Sequence, residues 1–143
     1  MKFSEISDQS WAELQPYLDT CLLPISGLTG MEPPWEAKER MLRTGDWLSV
    51  LERAFNGRTV TLPAYHYDRA GPDASGRLNE MCERLKASGY RYVVVVSGQA
   101  GGAPDAVTAA DLRVQPLSED EQPDEDAIRA TVAAMWRAGT ARS

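Results

Sequence analysis

Apolar residues follow strand-like patterns in four parts of this chain. Four consecutive valines at positions 93–96, within the stretch 90–97, predict a strand covered on both faces, because β-branched residues occupy every position. Shorter apolar runs at 20–25 and 59–63 predict two more strands. Residues 112–115 alternate apolar and polar, which predicts a strand near the sheet edge with one solvated face.

Other segments carry apolar residues at helical spacing. A short helix is predicted after Ser7, whose hydroxyl suits an N-cap. Pro33 is well placed to open a longer helix that Gly57 would cap, and the last helix is predicted from about 123 to 138, closed by Gly139. The three longer helical stripes are Met41, Leu48, Leu51 and Phe55; Leu78, Met81, Cys82 and Leu85; and Ile128, Val132, Met135 and Trp136.

The order of these elements predicts the fold class. Strands that alternate with helices are typical of a parallel sheet between helical layers. We therefore expect an α/β fold, with a small, three-layer, mostly parallel sheet that is doubly wound and has helices on both faces. The length of 143 residues suits a single α/β domain, 1–143.

Cysteine usage and hydropathy indicate a cytoplasmic location. Cys21 falls in a predicted strand and Cys82 on the apolar face of a predicted helix, so both are expected to be buried, reduced thiols. Residues 1–5 lack the apolar region of a secretory leader, and no apolar run approaches the roughly 20 residues that span a bilayer.

The negative charge is concentrated in one segment. Six acidic residues with no basic one lie within 119–126, and their number equals the net charge of −6. No cluster of Lys and Arg with interleaved aromatic residues is present, which argues against nucleic-acid binding. The acidic segment is interpreted as a solvated loop whose acids favour the start of the following helix, with tethering of a basic partner as the alternative.

Topology places a candidate binding site at one edge of the predicted sheet. Open α/β sheets bind ligands beyond the carboxyl ends of their strands. Three segments, 26–30, 64–68 and 97–102, follow predicted strands and should meet there. The candidate ligand-binding residues are Ser26, Gly27, Thr29, Tyr65, His66, Tyr67, Ser97, Gly98 and Gln99.

His66 is the single histidine and suits general-base chemistry, because its ordinary pKa lies near neutrality. That role requires an acid such as Asp68 or Glu32 to orient the ring, and a nucleophile such as Ser26 or Ser97 within reach. The alternative interpretation is an imidazole that caps a strand end, with its tyrosine neighbours packed on helices.

Two glycine-containing segments, 26–30 and 97–102, have the composition of anion-binding loops. Neither contains a complete nucleotide-binding motif, so a turn and a flexible connection are the preferred interpretations, with anion binding as the alternative. One histidine and two separated cysteines are too few ligands for a typical metal site. No cofactor is therefore expected.

Four tryptophans suggest either core packing or anchors at an interface. Trp11, Trp47 and Trp136 lie on helical stripes and are expected to pack, whereas Trp35 follows two prolines and should be at least partly exposed.

Two Leu-Pro strands carry a family resemblance. The segment 17–25 has Asp-Thr before a strand that contains Leu-Pro, and the segment 55–65 contains a second Leu-Pro strand. In these features, the chain up to about Tyr67 resembles the YpiF-like proteins of Gram-positive bacteria. The resemblance implies a small cytosolic α/β domain and no assigned activity.

We expect a non-enzymatic α/β domain that binds a partner protein or a small ligand at the carboxyl edge of its sheet. The alternative is a small hydrolase or transferase that uses His66. The two hypotheses differ in whether a hydroxyl or carboxylate lies within hydrogen-bond reach of the imidazole in an accessible cleft.

Overall fold

A computed structural model describes residues 1–66 and 73–141 of the chain, with the side chain of residue 141 excluded. Within these residues, four strands form one sheet in the order β2-β1-β3-β4, and each neighbouring pair is parallel. The strands are β1 Thr20–Ile25, β2 Thr59–Thr61, β3 Tyr92–Ser97 and β4 Leu112–Val114. The helices are α1 Asp8–Leu14, α2 Pro34–Ala54, α3 Ala74–Ala87 and α4 Glu125–Ala141, after a 3-10 turn at Phe3–Glu5.

The strand order confirms the predicted α/β fold. The chain leaves β1 through α2 to reach β2 on one side, and then returns through α3 to place β3 on the other side of β1. The direction of winding therefore reverses between β1 and β3. In open α/β sheets, this reversal opens a crevice at the carboxyl ends of the two strands.

Side-chain alternation along the strands produces two hydrophobic layers. Leu22, Val94 and Val96 pack on one face with the buried sides of α2 and α4. The intervening residues, including Val93 and Val95, pack on the other face with α3 and with part of the β3–β4 connection. All four valines of β3 are 0% exposed, as their unbroken run predicts.

The second strand is shorter than predicted, but its backbone continues beside β1. Regular pairing ends at Thr61, because the next residue of β1 that would donate to this strand is Pro24, which has no N–H group. The Leu62 amide still donates to the Leu22 carbonyl over 3.0 Å, and the Tyr65 amide donates to Pro24 over 2.7 Å. This extension carries the following residues to the end of β1.

Two predicted helix ends are wrong. The long helix α2 ends at Ala54 with Phe55 as its C-cap, and Gly57 is not among the described glycines with positive φ. The last helix continues through Gly139 to residue 141. A Cβ at Gly139 would lie 2.1 Å from the Tyr92 hydroxyl oxygen, so this glycine allows α4 to approach the sheet rather than ending the helix.

Both cysteines are free and buried, as predicted. Burial raises the pKa of the Cys21 thiol to about 12 and that of Cys82 to about 11. In the described ranges, no helix combines the length and apolar character that a bilayer crossing requires.

Candidate functional site

The described parts of the three segments that were predicted to converge, 26–30, 64–66 and 97–102, meet at the carboxyl edge of the sheet. Ile25, the last residue of β1, pairs with Ser97 of β3 and forms an isolated parallel bridge with Tyr65. The Ser26 amide then donates to the Tyr65 carbonyl over 3.2 Å. Two cavities flank this junction, one on each face of the sheet.

The first cavity, which we name the carboxyl-edge pocket, has a volume of about 220 Å³ and lies on the α3 face. The loop after β1, Tyr65, the first turn of α3 and the glycine loop after β3 all contribute to its wall. Its lining residues are Ile25, Gly27, Leu28, Thr29, Tyr65, Ala74, Ser75, Leu78, Gly101, Gly102, Pro104 and Val107. The predicted residues Gly27, Thr29 and Tyr65 are therefore brought together here.

The second cavity, which we name the His66 pocket, has a volume of about 240 Å³ and lies between α2 and the β1–β2 side of the same edge. Ser26, Thr44 and His66 supply polar side chains to a wall that is otherwise mainly apolar. The remaining lining residues are Lys2, Phe3, Pro24, Met41, Gly45, Leu48, Thr61, Leu62, Pro63 and Ala64.

Ser26 and His66 form a direct pair. The Ser26 Oγ lies 2.7 Å from Nδ1 of His66, within the reach expected of a nucleophile and its base. The same Oγ accepts the Leu28 amide over 3.3 Å, and Ser26 is only 1% exposed. The hydroxyl thus connects the end of β1, the following loop and the imidazole, a geometry that suits strand-end capping as well as catalysis.

Glu32 is engaged with its own loop. Its carboxylate accepts the Thr29 amide at 2.8 and 3.1 Å, the Thr29 hydroxyl at 2.9 Å and the Gly30 amide at 3.0 Å. These bonds, led by that from the Thr29 amide, lower the pKa of Glu32 to about 2. The other candidate acid, Asp68, lies outside the described residues, as does the predicted site residue Tyr67.

Both loops that were considered for anion binding use several backbone donors internally. In the loop after β1, the Thr29 and Gly30 amides bind the Glu32 carboxylate. In the loop after β3, the Gly98 amide donates to the Thr44 hydroxyl over 3.1 Å, and the Gln99 amide donates to Ser97 Oγ over 3.1 Å. These amides are therefore already satisfied without an external anion.

Neither pocket is lined by the predicted site residues Ser97, Gly98 and Gln99, which instead contact the elements that form the pocket walls. A Cβ at Gly98 would lie 2.3 Å from the Thr44 amide nitrogen, which shows how closely the end of β3 approaches α2. The Gln99 side-chain amide donates to the Arg40 carbonyl over 3.2 Å. Together these contacts fix the glycine loop against the helix.

Two residues that sequence reasoning missed help to hold this edge. Thr44 is buried on α2 and binds the Gly98 amide, and Arg40 donates to the Gly27 carbonyl over 3.1 Å. A signal for Thr44 was present in the sequence, because it lies four residues before Leu48 and so shares the apolar stripe of the helix. A polar residue on such a stripe requires a hydrogen-bond partner in the core.

Across residues 1–66 and 73–141, no group of three or more His, Cys, Asp or Glu side chains is arranged to hold a metal ion. The polar side chains described at this edge are hydroxyls, one imidazole, the Glu32 carboxylate, the Arg40 guanidinium and the Gln99 amide.

Comparison with known proteins adds one finding. A family model described as "Protein of unknown function (DUF2487)" matches residues 9–101. No curated protein and no solved structure matches the chain. The matched region runs from α1 through the glycine loop, so it includes β1, β3 and most of both pocket walls. The chain belongs to the DUF2487 family of proteins of unknown function.

Proposed function

We propose that this protein is a binding domain that holds a small, mainly apolar ligand in the carboxyl-edge pocket. The observation that carries the proposal is the position of this cavity, at the point between β1 and β3 where the winding of the sheet reverses. Doubly wound sheets bind their ligands at such points.

The pocket wall suggests the chemistry of the ligand. Ile25, Leu28, Leu78 and Val107 are buried apolar residues of the wall, and they favour a hydrocarbon or aromatic portion. Ser75 adds a hydroxyl for a hydrogen bond, whereas the Thr29 hydroxyl already donates to Glu32. The volume of about 220 Å³ is below the roughly 300–1,000 Å³ of drug-sized sites, so a small metabolite fits best.

The loop chemistry argues against a phosphate as the recognition group. Phosphate loops depend on free backbone amides, whereas the Thr29 and Gly30 amides are bound to Glu32. An anion placed there would also meet the Glu32 carboxylate, whose pKa of about 2 keeps it charged at neutral pH. Recognition through the Ser75 hydroxyl is the better-supported alternative.

A thermal-shift screen of small apolar alcohols, acids and amides, with phosphorylated metabolites alongside, tests the proposal. A ligand that binds only the native state raises the melting midpoint. Ser75→Phe would fill the pocket from the first turn of α3, and Glu83→Phe, at an exposed position of the same helix, is the matched control. We expect hits that stabilise the wild type and Glu83→Phe but not Ser75→Phe. Hits that stabilise all three proteins equally would contradict the proposed site.

A second candidate function is a hydrolase or transferase, and the 2.7 Å contact between Ser26 and His66 favours it. In an ester hydrolysis, Ser26 Oγ would bond to the acyl carbon as His66 takes its proton. The alcohol would then leave with that proton, and water would release the acid. Binding remains our first choice, because Ser26 is 1% exposed and its hydroxyl already serves the loop.

Hydrolysis of p-nitrophenyl acetate and butyrate separates the two functions. The enzyme hypothesis requires turnover that Ser26→Ala and His66→Ala each abolish while circular dichroism shows an intact fold. The binding proposal requires that these variants leave the background rate unchanged. Ser97→Ala is the control, because its hydroxyl bonds within the glycine loop.

We further propose that the chain is related to the YpiF-like proteins of Gram-positive bacteria, that residues 1–143 form a single α/β domain, and that the protein is cytoplasmic. The Leu-Pro strands at 20–25 and 59–63 and two buried reduced thiols support them. A protein partner at the same edge is the alternative to a small ligand, and a null result in the screen would favour it.

A further inference from the structure

The first half of α2 carries large apolar side chains in solvent. The buried residues of this helix begin at Thr44, although the helix itself begins at Pro34. Trp35 is 74% exposed and Leu42 is 59% exposed. Exposed apolar residues that cluster on one element often mark an interaction site.

These two residues lie on one face of the helix together with two acidic residues. Trp35, Glu39, Leu42 and Asp46 are spaced i, i+4, i+7 and i+11, and all four are exposed. At about 100° per residue this stripe points away from Thr44, which packs toward the sheet. We name these four residues the α2 stripe.

The acidic segment 119–126 is attached beside this stripe. Glu119 forms an ion pair with Arg43 at 3.0 Å, and Arg43 also binds Glu39. Asp46, Glu119 and Glu121 line the same small depression on the surface. The Arg43 guanidinium is thus already paired with two carboxylates, and the carboxylates of Asp46 and Glu121 lie beside it in the same depression.

We propose that the α2 stripe and the acidic segment together bind a basic amphipathic helix of a partner protein. The apolar face of that helix would cover Trp35 and Leu42, since tryptophan is a frequent anchor at interfaces. Its Lys and Arg residues would face Asp46 and the acids of segment 119–126, which gives charge complementarity. The same acids disfavour an anionic membrane surface. This surface shares no residue with the carboxyl-edge pocket, so the two proposals can fail separately.

The probe for the test is an 18-residue peptide of Leu and Lys with leucine at helical spacing. A peptide with Glu in place of every Lys is its charge control. Calorimetric titration in low and physiological salt measures binding to the wild type. The variants are Trp35→Ala/Leu42→Ala and Asp46→Lys/Asp120→Lys. Tyr17→Ala is the matched control, because Tyr17 is a 71% exposed aromatic residue outside this surface.

We expect the Leu/Lys peptide to bind at a single class of sites and to weaken as salt rises. Both double variants should lower its affinity at least roughly tenfold, whereas Tyr17→Ala should not change it. Equal binding by the Leu/Glu peptide, or equal affinity for Trp35→Ala/Leu42→Ala and the wild type, would overturn the proposal. So would a wild-type dimer that Trp35→Ala/Leu42→Ala converts to a monomer, because a second copy would then cover the stripe.

Discussion

Replacing Gly98 by alanine tests how the carboxyl end of β3 is held against α2. The added Cβ would lie 2.3 Å from the Thr44 amide nitrogen and 2.4 Å from the Arg43 carbonyl carbon, whereas ordinary van der Waals contact begins at 3.4 Å. Both neighbours are backbone atoms of a helix, so neither can rotate away. The two elements would have to separate by about 1 Å at a buried contact.

The expected cost follows from these contacts. Overpacking of this kind costs about 1–3 kcal/mol. Separation of the two backbones would also break the bond from the Gly98 amide to the Thr44 hydroxyl, which contributes about 1 kcal/mol. We therefore expect Gly98→Ala to lower the free energy of unfolding by about 3 kcal/mol, and the melting midpoint by about 10 °C.

Urea denaturation followed by tryptophan fluorescence measures this change, since Trp47 is buried beside the affected contact. Two glycine substitutions with no Cβ neighbour within 4 Å serve as controls. Gly76→Ala, inside α3, should stabilise by about 0.5–1 kcal/mol. Gly101→Ala, at φ of 72°, should cost about 1–2 kcal/mol. If the free energy of unfolding of Gly98→Ala lies within 0.5 kcal/mol of the wild-type value, the close approach of β3 and α2 is refuted.

Three further predictions concern other parts of the chain. Gly139→Ala should destabilise the protein by about 1–3 kcal/mol, because its Cβ would lie 2.1 Å from the Tyr92 hydroxyl oxygen, and a midpoint in urea equal to the wild type would contradict this packing. The depressed pKa of Glu32, about 2 against an ordinary 4.5, stabilises the folded state above pH 4.5, and this contribution is lost as the pH falls toward 2. Glu32→Gln should therefore have a lower free energy of unfolding than the wild type near pH 6, and this difference should shrink by pH 3. A difference in unfolding free energy that does not change with pH would exclude the carboxylate's role. The Cys21 and Cys82 thiols should react with a disulfide reagent at pH 8 only in urea, because burial raises both pKa values, and rapid reaction of the native protein would show that they are accessible.

The pattern of apolar and polar residues was sufficient to predict the strands that form the core of the fold. The unbroken valines of β3 predicted a strand covered on both faces, and the alternation at 112–115 predicted the edge position of β4. Ser26 and Ser97 were both named as hydroxyls that an enzyme would need near His66, and Ser26 Oγ is the one that lies 2.7 Å from Nδ1. The two strand predictions succeeded because periodicity reports which faces of an element are buried.

The errors arose where a residue's role depends on a tertiary neighbour. Gly139 resembles a helix terminator in sequence, yet its lack of a side chain accommodates Tyr92. The loops at 26–30 and 97–102 have the glycines of anion sites, but Glu32 and Thr44 bind amides within them. No sequence pattern shows that the Thr44 hydroxyl will meet the loop at 97–102, because its position is set by the packing of α2, whereas Glu32 is a local partner only three residues after Thr29.

The carboxyl-edge pocket is the central claim of this account. Two-dimensional NMR of the isotope-labelled protein, titrated with a library of small, mainly apolar fragments, tests it most directly. We predict that the fragments which bind will shift the amide signals of Thr29, Ser75, Gly101 and Gly102 together, because these residues line one cavity. Fragments that instead shift Thr44, Gly45 and Leu48, in the wall of the His66 pocket, or a library with no binders, would contradict the account.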